Sequence, residues 1–269
     1  MLNVSLGLRP FVTDRKTARS RRSTCLEIPG RFTSRRGLIQ ALEIRRDLVT
    51  LSMLENEIQA CRRCASTLCK FDVEPRPIFS GGVGYPIFLL GQAPGKTEYE
   101  KRAPFQGDAG KSIKAQFAAC GLSNFERNVY QTSVTKCFPG RRPSTSTDRM
   151  PSAAEVKNCL PFLERQLELV KPKLLVCLGG LSWKAFLSIQ ETAEPGFCSR
   201  EIGISRPSGV KVPHMVGRRF QWHSTLVLPM IHPAGSANGA RSQYPDHDRE
   251  SKALLARSLA ELGLRDLYP

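Results

Sequence analysis

The chain has 269 residues, 41% of them hydrophobic and 24% charged, which are ordinary proportions for a globular protein of one large domain or two small ones. No apolar run approaches the roughly 18 residues needed to cross a bilayer, which excludes an integral membrane protein. Forty Lys and Arg residues against 24 Asp and Glu residues give a formal net charge of +16. This excess favours a polyanionic partner such as nucleic acid, and basic drift in an Arg-rich proteome is the alternative explanation.

The first 52 residues differ in composition from the rest of the chain. Eleven Lys and Arg residues against four Asp and Glu residues give this segment +7 of the total +16. Apolar periodicity is weak before about residue 38, so we expect disorder there. We divide the chain into an Arg-rich extension, residues 1–52, and a folded domain, residues 53–269. The extension also has the composition of an organellar transit peptide, and a true start at Met53 is a third alternative.

The folded domain has the pattern of an α/β protein. A short helix is predicted at 54–60, before the first cysteine pair. The remaining predicted elements are strands at 86–90, 129–134, 174–178 and 226–231, and helices at 111–120, 153–170, 182–189 and 250–262. Short apolar strands alternating with helices predict a three-layer α/β/α fold around a mainly parallel four-stranded sheet. In such a sheet the ligand site lies beyond the carboxyl ends of the strands.

The first predicted strand ends in a glycine-containing loop. Residues 91–95 read Gly-Gln-Ala-Pro-Gly, Glu98 follows, and residues 104–112 read Pro-Phe-Gln-Gly-Asp-Ala-Gly-Lys-Ser. Glycines after a strand let a ligand approach the backbone, and a helix N-terminus suits an anion. A phosphate-binding Walker A loop is excluded, because the position that needs its first glycine holds Phe105.

Two further strands end at chemically useful residues. The second predicted strand leads to Cys137, and the fourth leads to His232, followed by Pro-Ala-Gly. Taken alone, His232 fits a capping or core residue equally well. Cys61 and Cys64 form a Cys-x-x-Cys pair in a chain without a clear secretory signal, which favours metal binding or redox chemistry over structural disulfides.

Together these motifs resemble the uracil-DNA glycosylase superfamily, especially its iron–sulfur branch, families 4 and 5, over residues 53–269. The family 4 motifs Gly-Glu-x-Pro-Gly and Pro-Phe-x-Gly-x-x-Gly match residues 91–95 and 104–110. Its Thr-Asn-x-x-Lys-Cys motif matches 132–137, and its His-Pro-Ser motif matches 232–234. The resemblance implies a DNA repair enzyme that flips uracil, and related deaminated bases, out of the helix and hydrolyses the N-glycosidic bond.

The resemblance also implies a set of base-binding residues. Phe105 would stack on the flipped base, while the backbone at Gln92 and Ala93 and the hydroxyl of Ser133 would read its edge. Two of these positions depart from the family 4 pattern. Gln92 stands where that family has Glu, and Ser133 stands where several branches have the Asn that reads uracil.

The implied catalytic residues are two acids and one histidine. His232 would stabilise the negative charge on the departing base by a hydrogen bond. Asp108 or Glu98 would stabilise the cation-like sugar and orient the attacking water, Asp108 occupying the position of the family 5 acid. A plain helix N-cap is the alternative role for Asp108. Asn238 or Arg241 would fill the gap that the flipped base leaves in the duplex.

The family's cluster ligands correspond to Cys61, Cys64, Cys137 and Cys159. The resemblance therefore implies a [4Fe–4S] cluster with a structural role, and structural zinc is the alternative for four converging thiolates. The spacing between the last two cysteines exceeds the family's by about six residues, which fall in the Ser/Thr/Arg-rich segment 141–149.

Two rival functions remain open from the sequence. One is a glycosylase-like protein that binds nucleic acid without catalysis, and the other is a zinc-stabilised protein of different chemistry. The expected partner is DNA containing uracil, bound by a monomer without membrane association. The expected location is the cytoplasm, at the nucleoid, in a bacterium or archaeon, with organellar import as the eukaryotic alternative.

Overall fold

The computed structural model describes residues 35–82, 84–143 and 147–265. The chain divides into two units, residues 1–41 and 42–269. Of the first unit only 35–41 are described, and they begin the first helix. The disorder expected in the extension concerns residues that lie almost entirely outside the described ones. The architecture below is that of the second unit.

Helix α1 is much longer than the sequence pattern predicted. It runs over Arg35–Ala60 instead of 54–60. Leu51, Leu54 and Ile58 recur on one face of the helix and are completely buried. The boundary placed after residue 52 therefore falls inside this helix. Apolar side chains do occur between residues 38 and 49, but basic residues interrupt them, so the sequence pattern alone did not reveal the helix there.

The sheet has five strands in the order β2-β1-β3-β5-β4. The strands are β1 Ile87–Gly91, β2 Val129–Ser133, β3 Leu174–Leu178, β4 Phe220–Trp222 and β5 Thr225–Met230. Four of them pair in parallel, as predicted, whereas β4 pairs antiparallel with β5. The predicted count of four strands omitted β4, because three half-exposed residues carry no strand pattern. Every residue of β1, β2 and β3 is buried, as expected for parallel strands covered on both faces.

Helices cover both faces of the sheet, which gives the predicted three-layer α/β/α arrangement. The remaining α-helices are α2 Ala65–Cys69, α3 Lys96–Lys101, α4 Asp108–Ala119, α5 Phe125–Asn128, α6 Ala153–Val170, α7 Gly180–Ala193, α8 Val212–Met215, α9 Asn238–Gln243 and α10 Pro245–Glu261. Alternate residues of β1 enter different cores: Phe88 packs with α1, α6 and α7, and Leu89 packs with α4 and α10. Within the described ranges, no helix has both the length and the apolarity required to cross a bilayer.

The burial of α1 makes a prediction about stability. Leu51→Ala should lower the free energy of unfolding by about 2–5 kcal/mol, because it removes a buried side chain and leaves a cavity. Met53→Ala is the matched control, since this side chain is exposed on the same helix, and it should change stability by less than about 0.5 kcal/mol. Urea unfolding of both variants measures the difference. Equal stabilities would show that α1 does not belong to the folded unit.

Candidate active site and cysteine centre

A cleft opens at the carboxyl ends of β1, β2 and β5. It contains nearly all of the residues that the sequence nominated for base binding and catalysis. The nominated residues that line it are Gln92, Ala93, Glu98, Phe105, Asp108, Ser133 and His232. Asn238 is the exception: it is exposed at the start of α9 and does not line this cleft.

The Glu98 carboxylate organises the loop on one side of the cleft. It accepts hydrogen bonds from the backbone N–H groups of Gly95 at 3.0 Å, Gln106 at 2.8 Å and Gly107 at 2.7 Å. A Cβ atom at Gly95 would stand 2.8 Å from the carboxylate, which explains the glycine there. These bonds tie residue 98 to the loop that follows α3, so the side chain shapes the cleft.

Asp108 has different surroundings from Glu98. It is the first residue of α4, and its side chain is 97% exposed. Gly107, not Asp108, occupies the N-cap position, and no side chain caps this end of the helix among the described residues. Asp108 therefore does not serve as the N-cap of α4. Its carboxylate pairs with the Lys111 ammonium at 3.0 Å. The acid is thus accessible to water at the mouth of the cleft.

Phe105 forms a wall of the cleft in an unusual backbone conformation. Its φ is +50°, in the left-handed region, and its side chain is largely buried. Two glycines make room for it: a Cβ at Gly91 would lie 3.0 Å from the ring, and a Cβ at Gly110 would lie 2.1 Å from the Phe105 carbonyl oxygen. Positive φ in an aromatic residue stores strain, a feature that concentrates at functional sites.

His232 follows β5 and presents a defined hydrogen-bond donor. Its Nδ1 atom accepts a hydrogen bond from the Ala234 backbone N–H at 3.2 Å. In the neutral ring the proton must therefore reside on Nε2. Burial lowers the pKa of His232, and the neighbouring Arg241 charge lowers it further, against a smaller opposing effect of Glu98. The cleft thus contains a neutral imidazole whose free nitrogen is a donor.

Arg241 holds the loop that carries this histidine. Its guanidinium donates to the carbonyl oxygens of His232 at 2.6 Å and Ala234 at 3.2 Å, and also to the Asn238 side chain. Of the two residues nominated to fill the duplex gap, Arg241 is therefore engaged within its own loop.

Sequence reasoning missed residues that the segment after β2 contributes to the cleft. Asp148 accepts hydrogen bonds from the Lys96 backbone N–H at 3.1 Å and from Arg141 Nε at 3.0 Å. Arg149 forms a largely buried ion pair with Glu155 at 2.5 Å. Arg141, Asp148 and Arg149 all line the cleft. The unusual length of this segment was the available signal, although residues 144–146 within it are not described.

The four nominated cysteines line one cavity beside the cleft. Cys61 follows α1, Cys64 precedes α2, Cys137 follows β2 and Cys159 lies in α6. Burial raises the pKa of Cys137 to about 12 and also raises that of Cys159. Within the described part of the chain, no three His, Cys, Asp or Glu residues stand close enough to form a site for one metal ion.

Polar groups around these thiols fit a larger sulfur-bound group. The Thr135 hydroxyl lines the cavity, is buried and finds no hydrogen-bond partner among the residues that the structure describes. The Lys136 backbone N–H donates to the Cys159 sulfur, and the Asn158 amide donates to the Cys64 sulfur at 3.5 Å. Donors of this kind surround the thiolates and sulfides of iron–sulfur centres. An unpartnered buried donor among four cysteines therefore fits a sulfur-rich acceptor.

Comparison with known proteins decides the family. Residues 80–256 match the family described as the uracil DNA glycosylase superfamily. The chain belongs to this superfamily. It is 30% identical over 195 residues to the type-4 uracil-DNA glycosylase of Sulfurisphaera tokodaii, covering 70% of this chain and 76% of the relative. It is 38% identical over 133 residues to the type-4 enzyme of Archaeoglobus fulgidus, covering 48% and 60%.

The resemblance inferred from the motifs is thereby confirmed. The type-5 uracil-DNA glycosylase of Pyrobaculum aerophilum is 32% identical to this superfamily member over 146 residues, which are 49% of this chain and 60% of the relative. Similarity to both types agrees with the mixed motifs, in which family 4 spacing is combined with the acid of family 5. Cys61 and Cys64 lie outside the residues that match the family description.

The burial of His232 and its closeness to Arg241 allow a prediction about the pKa of its imidazole. Its pKa should lie below the ordinary value of 6.5, because burial and Arg241 both disfavour the imidazolium. The stability that depends on the neutral ring is complete above the unfolded-state pKa and is lost as the pH falls through the folded-state pKa. NMR titration of the His232 imidazole protons measures this value. A midpoint above 6.5 would contradict the prediction.

Proposed function

We propose that this protein is a uracil-DNA glycosylase that binds DNA, removes uracil by hydrolysing its N-glycosidic bond and thereby initiates base excision repair. One observation carries the proposal: a stacking wall, Phe105, a neutral imidazole donor, His232, and an accessible carboxylate, Asp108, share one cleft. Relatives that are named uracil-DNA glycosylases support the same activity.

Base recognition uses the two strand ends that meet in the cleft. A base is stacked inside the duplex, so the nucleotide must be flipped into the cleft before its bond can be cleaved. Phe105 stacks on the flipped base. The backbone at Gln92 and Ala93 and the hydroxyl of Ser133 contact its edge. A hydroxyl can rotate its proton and so donate or accept at the same position, whereas an asparagine amide presents its donor and its acceptor at fixed positions. Ser133 is therefore less restrictive than asparagine, which supports a base range wider than uracil.

His232 acts as a hydrogen-bond donor to the leaving base. The bond to the sugar breaks with negative charge developing on the base, and a fixed donor stabilises that charge most in the transition state. The Nδ1 bond to Ala234 leaves Nε2–H as the donor. The lowered pKa means that the residue performs this task as a neutral imidazole and keeps its own proton.

Asp108 orients the attacking water and stabilises the cation-like sugar. Its exposed carboxylate can accept a hydrogen bond from water and carries negative charge at the mouth of the cleft. The oxygens of Glu98 accept three backbone hydrogen bonds, which supports a structural task for that residue. Of the two acids nominated from the sequence, we therefore assign the water to Asp108.

The cysteine centre holds a [4Fe–4S] cluster through Cys61, Cys64, Cys137 and Cys159. The unpartnered Thr135 hydroxyl in their cavity supports this assignment over a single zinc ion, which four cysteines alone would complete. When bound, the cluster supplies structural cross-links and no electrons, because hydrolysis transfers none. These cross-links join three segments that are distant in the chain.

Cleavage and binding measured side by side test the assignment. His232→Ala should lower the single-turnover cleavage rate of uracil-containing DNA by about a hundredfold or more, the effect of removing one preorganised donor. Its affinity for that DNA should hardly change, because the charge that it stabilises is absent from the bound ground state. A His232→Ala protein that cleaves at the wild-type rate would refute the mechanism.

Asp108→Asn should also lower the single-turnover rate strongly while DNA remains bound. Asp246→Asn is the matched control, because Asp246 also lies in the first turn of a helix, is exposed and pairs with a basic residue three positions on. The control should cleave normally. If both variants cleave normally, Asp108 does not handle the water.

Removal of single cysteines tests the cluster. Cys159→Ala should lose iron and the visible absorbance of the purified protein, since it removes one ligand of four. Cys177→Ala should retain both, because Cys177 is buried in β3 and does not line the cavity. Iron and zinc analysis of anaerobically purified protein distinguishes the two metals. Stoichiometric zinc without iron would overturn the cluster assignment.

A further inference from the structure

Lys136 is a completely buried lysine, and burial lowers the pKa of its amine to about 7. It is only 1% exposed, and it directly precedes the cysteine that follows β2. Its ammonium donates to the Ser133 carbonyl oxygen at 2.6 Å and to the Thr132 hydroxyl at 3.1 Å. Both acceptors are neutral. A buried charge costs folding free energy, and an apolar side chain of similar length would avoid that cost. The lysine is therefore expected to serve something other than stability.

The two ends of Lys136 face two different sites. Its backbone N–H donates to the Cys159 sulfur, and the residue lines the cysteine cavity. Its side chain donates to the backbone carbonyl of Ser133. Ser133 lines the cleft that also contains Phe105 and His232, which we call the base cleft. One residue thus contacts both the cysteine centre and the strand end that contacts the base.

The segment held by the ammonium also positions the first loop of the cleft. The Val134 N–H donates to the Gly91 carbonyl at 2.9 Å, and the Thr135 N–H donates to the Gln92 carbonyl at 3.3 Å. The latter bond is long, so this junction gains little rigidity from it. The bond from the Lys136 amine to the Ser133 carbonyl is much shorter, at 2.6 Å. It fixes the peptide at the point where β2 stops and the loop begins.

We propose that Lys136 is a positioning residue of the base cleft, whose ammonium holds Ser133 in place while its backbone ties that strand end to the cysteine centre. The inference rests on the proposed glycosylase function. It assigns a task to a residue that would touch neither the base nor the water. It also gives a physical route by which the integrity of the cysteine centre affects base recognition.

Lys136→Met tests the proposal, because methionine fills similar space without charge or donor. We expect a folded protein that retains its iron, while the single-turnover rate constant for uracil cleavage falls about tenfold to a hundredfold, the effect of a small misplacement of a reacting group. The amplitude of the single turnover reports the fraction of folded enzyme, whereas the rate constant reports positioning. A purely structural role would change the amplitude and leave the rate constant unaltered.

Lys114→Met is the matched control. Lys114 is a partly buried lysine in the middle of α4, where its ammonium pairs with Glu126 of α5 at 2.6 Å, and it lines neither site. The single-turnover rate constant of Lys114→Met should equal that of the wild type. If Lys136→Met fails to fold, Thr132→Val removes one of the two acceptors at nearly constant volume and should lower the rate constant in the same direction, by less.

Hydrogen exchange provides a measurement that does not depend on activity. The amides of Val134 and Thr135 should exchange faster in Lys136→Met than in wild type or Lys114→Met. A wild-type rate constant in folded Lys136→Met, or in Thr132→Val if that variant is needed, would overturn the proposal and leave the glycosylase function intact. Failure of the wild-type protein to cleave uracil-containing DNA would refute the proposed function. In that case, unchanged amide exchange in Lys136→Met would refute the positioning role as well.

Discussion

The parallel pairing of β1 with β2 is the constraint on which the base cleft depends. Its register sets Gly91 opposite Ser133 at the carboxyl ends of both strands. A Cβ at Gly91 would come within 3.0 Å of the Phe105 ring and 3.1 Å of the Ser133 hydroxyl. Because this position lacks a side chain, the Phe105 ring and the Ser133 hydroxyl can converge there. A shift of one residue would place a buried leucine, Leu90, in the same position.

Polar interactions then hold the loops that the strands deliver. The Glu98 carboxylate gathers three backbone N–H groups from both sides of α3, and the Arg241 guanidinium gathers the carbonyls around His232. In each case a charged side chain binds backbone groups, so the loop conformation is fixed without the side chains of Phe105, Ser133 and His232. The side chains proposed for catalysis, those of Asp108 and His232, take no part in these contacts.

The cysteine cavity and the base cleft are neighbours whose lining residues bond to one another. Lys136 connects them through its backbone and side chain, and the buried Arg149–Glu155 pair connects them again, since Arg149 lines the cleft and Glu155 lines the cavity. Cross-linking by a metal centre would therefore stabilise the peptide groups at the end of β2. A site that must discriminate between similar bases benefits from such rigidity, because misplacement of a reading group costs both rate and selectivity.

The sequence by itself determined the order of the main elements and the parallel pairing of four strands, because apolar strands and glycine loops are local signals. Through the family resemblance of its motifs it also named most of the cleft residues and the four cysteines. Only the tertiary structure decided that Glu98 serves its loop, that Arg241 is engaged, and that Asp148 enters the cleft. These outcomes depend on hydrogen bonds between segments that are far apart in the chain. A local sequence pattern does not show which distant segments will meet. The length of α1 and the presence of β4 were likewise decided by packing, since Leu51 is buried only by contacts with the rest of the core. The sequence places Lys136 in a motif. Its proposed role in joining the cysteine cavity to the base cleft follows from its burial and contacts, which only the folded chain reveals.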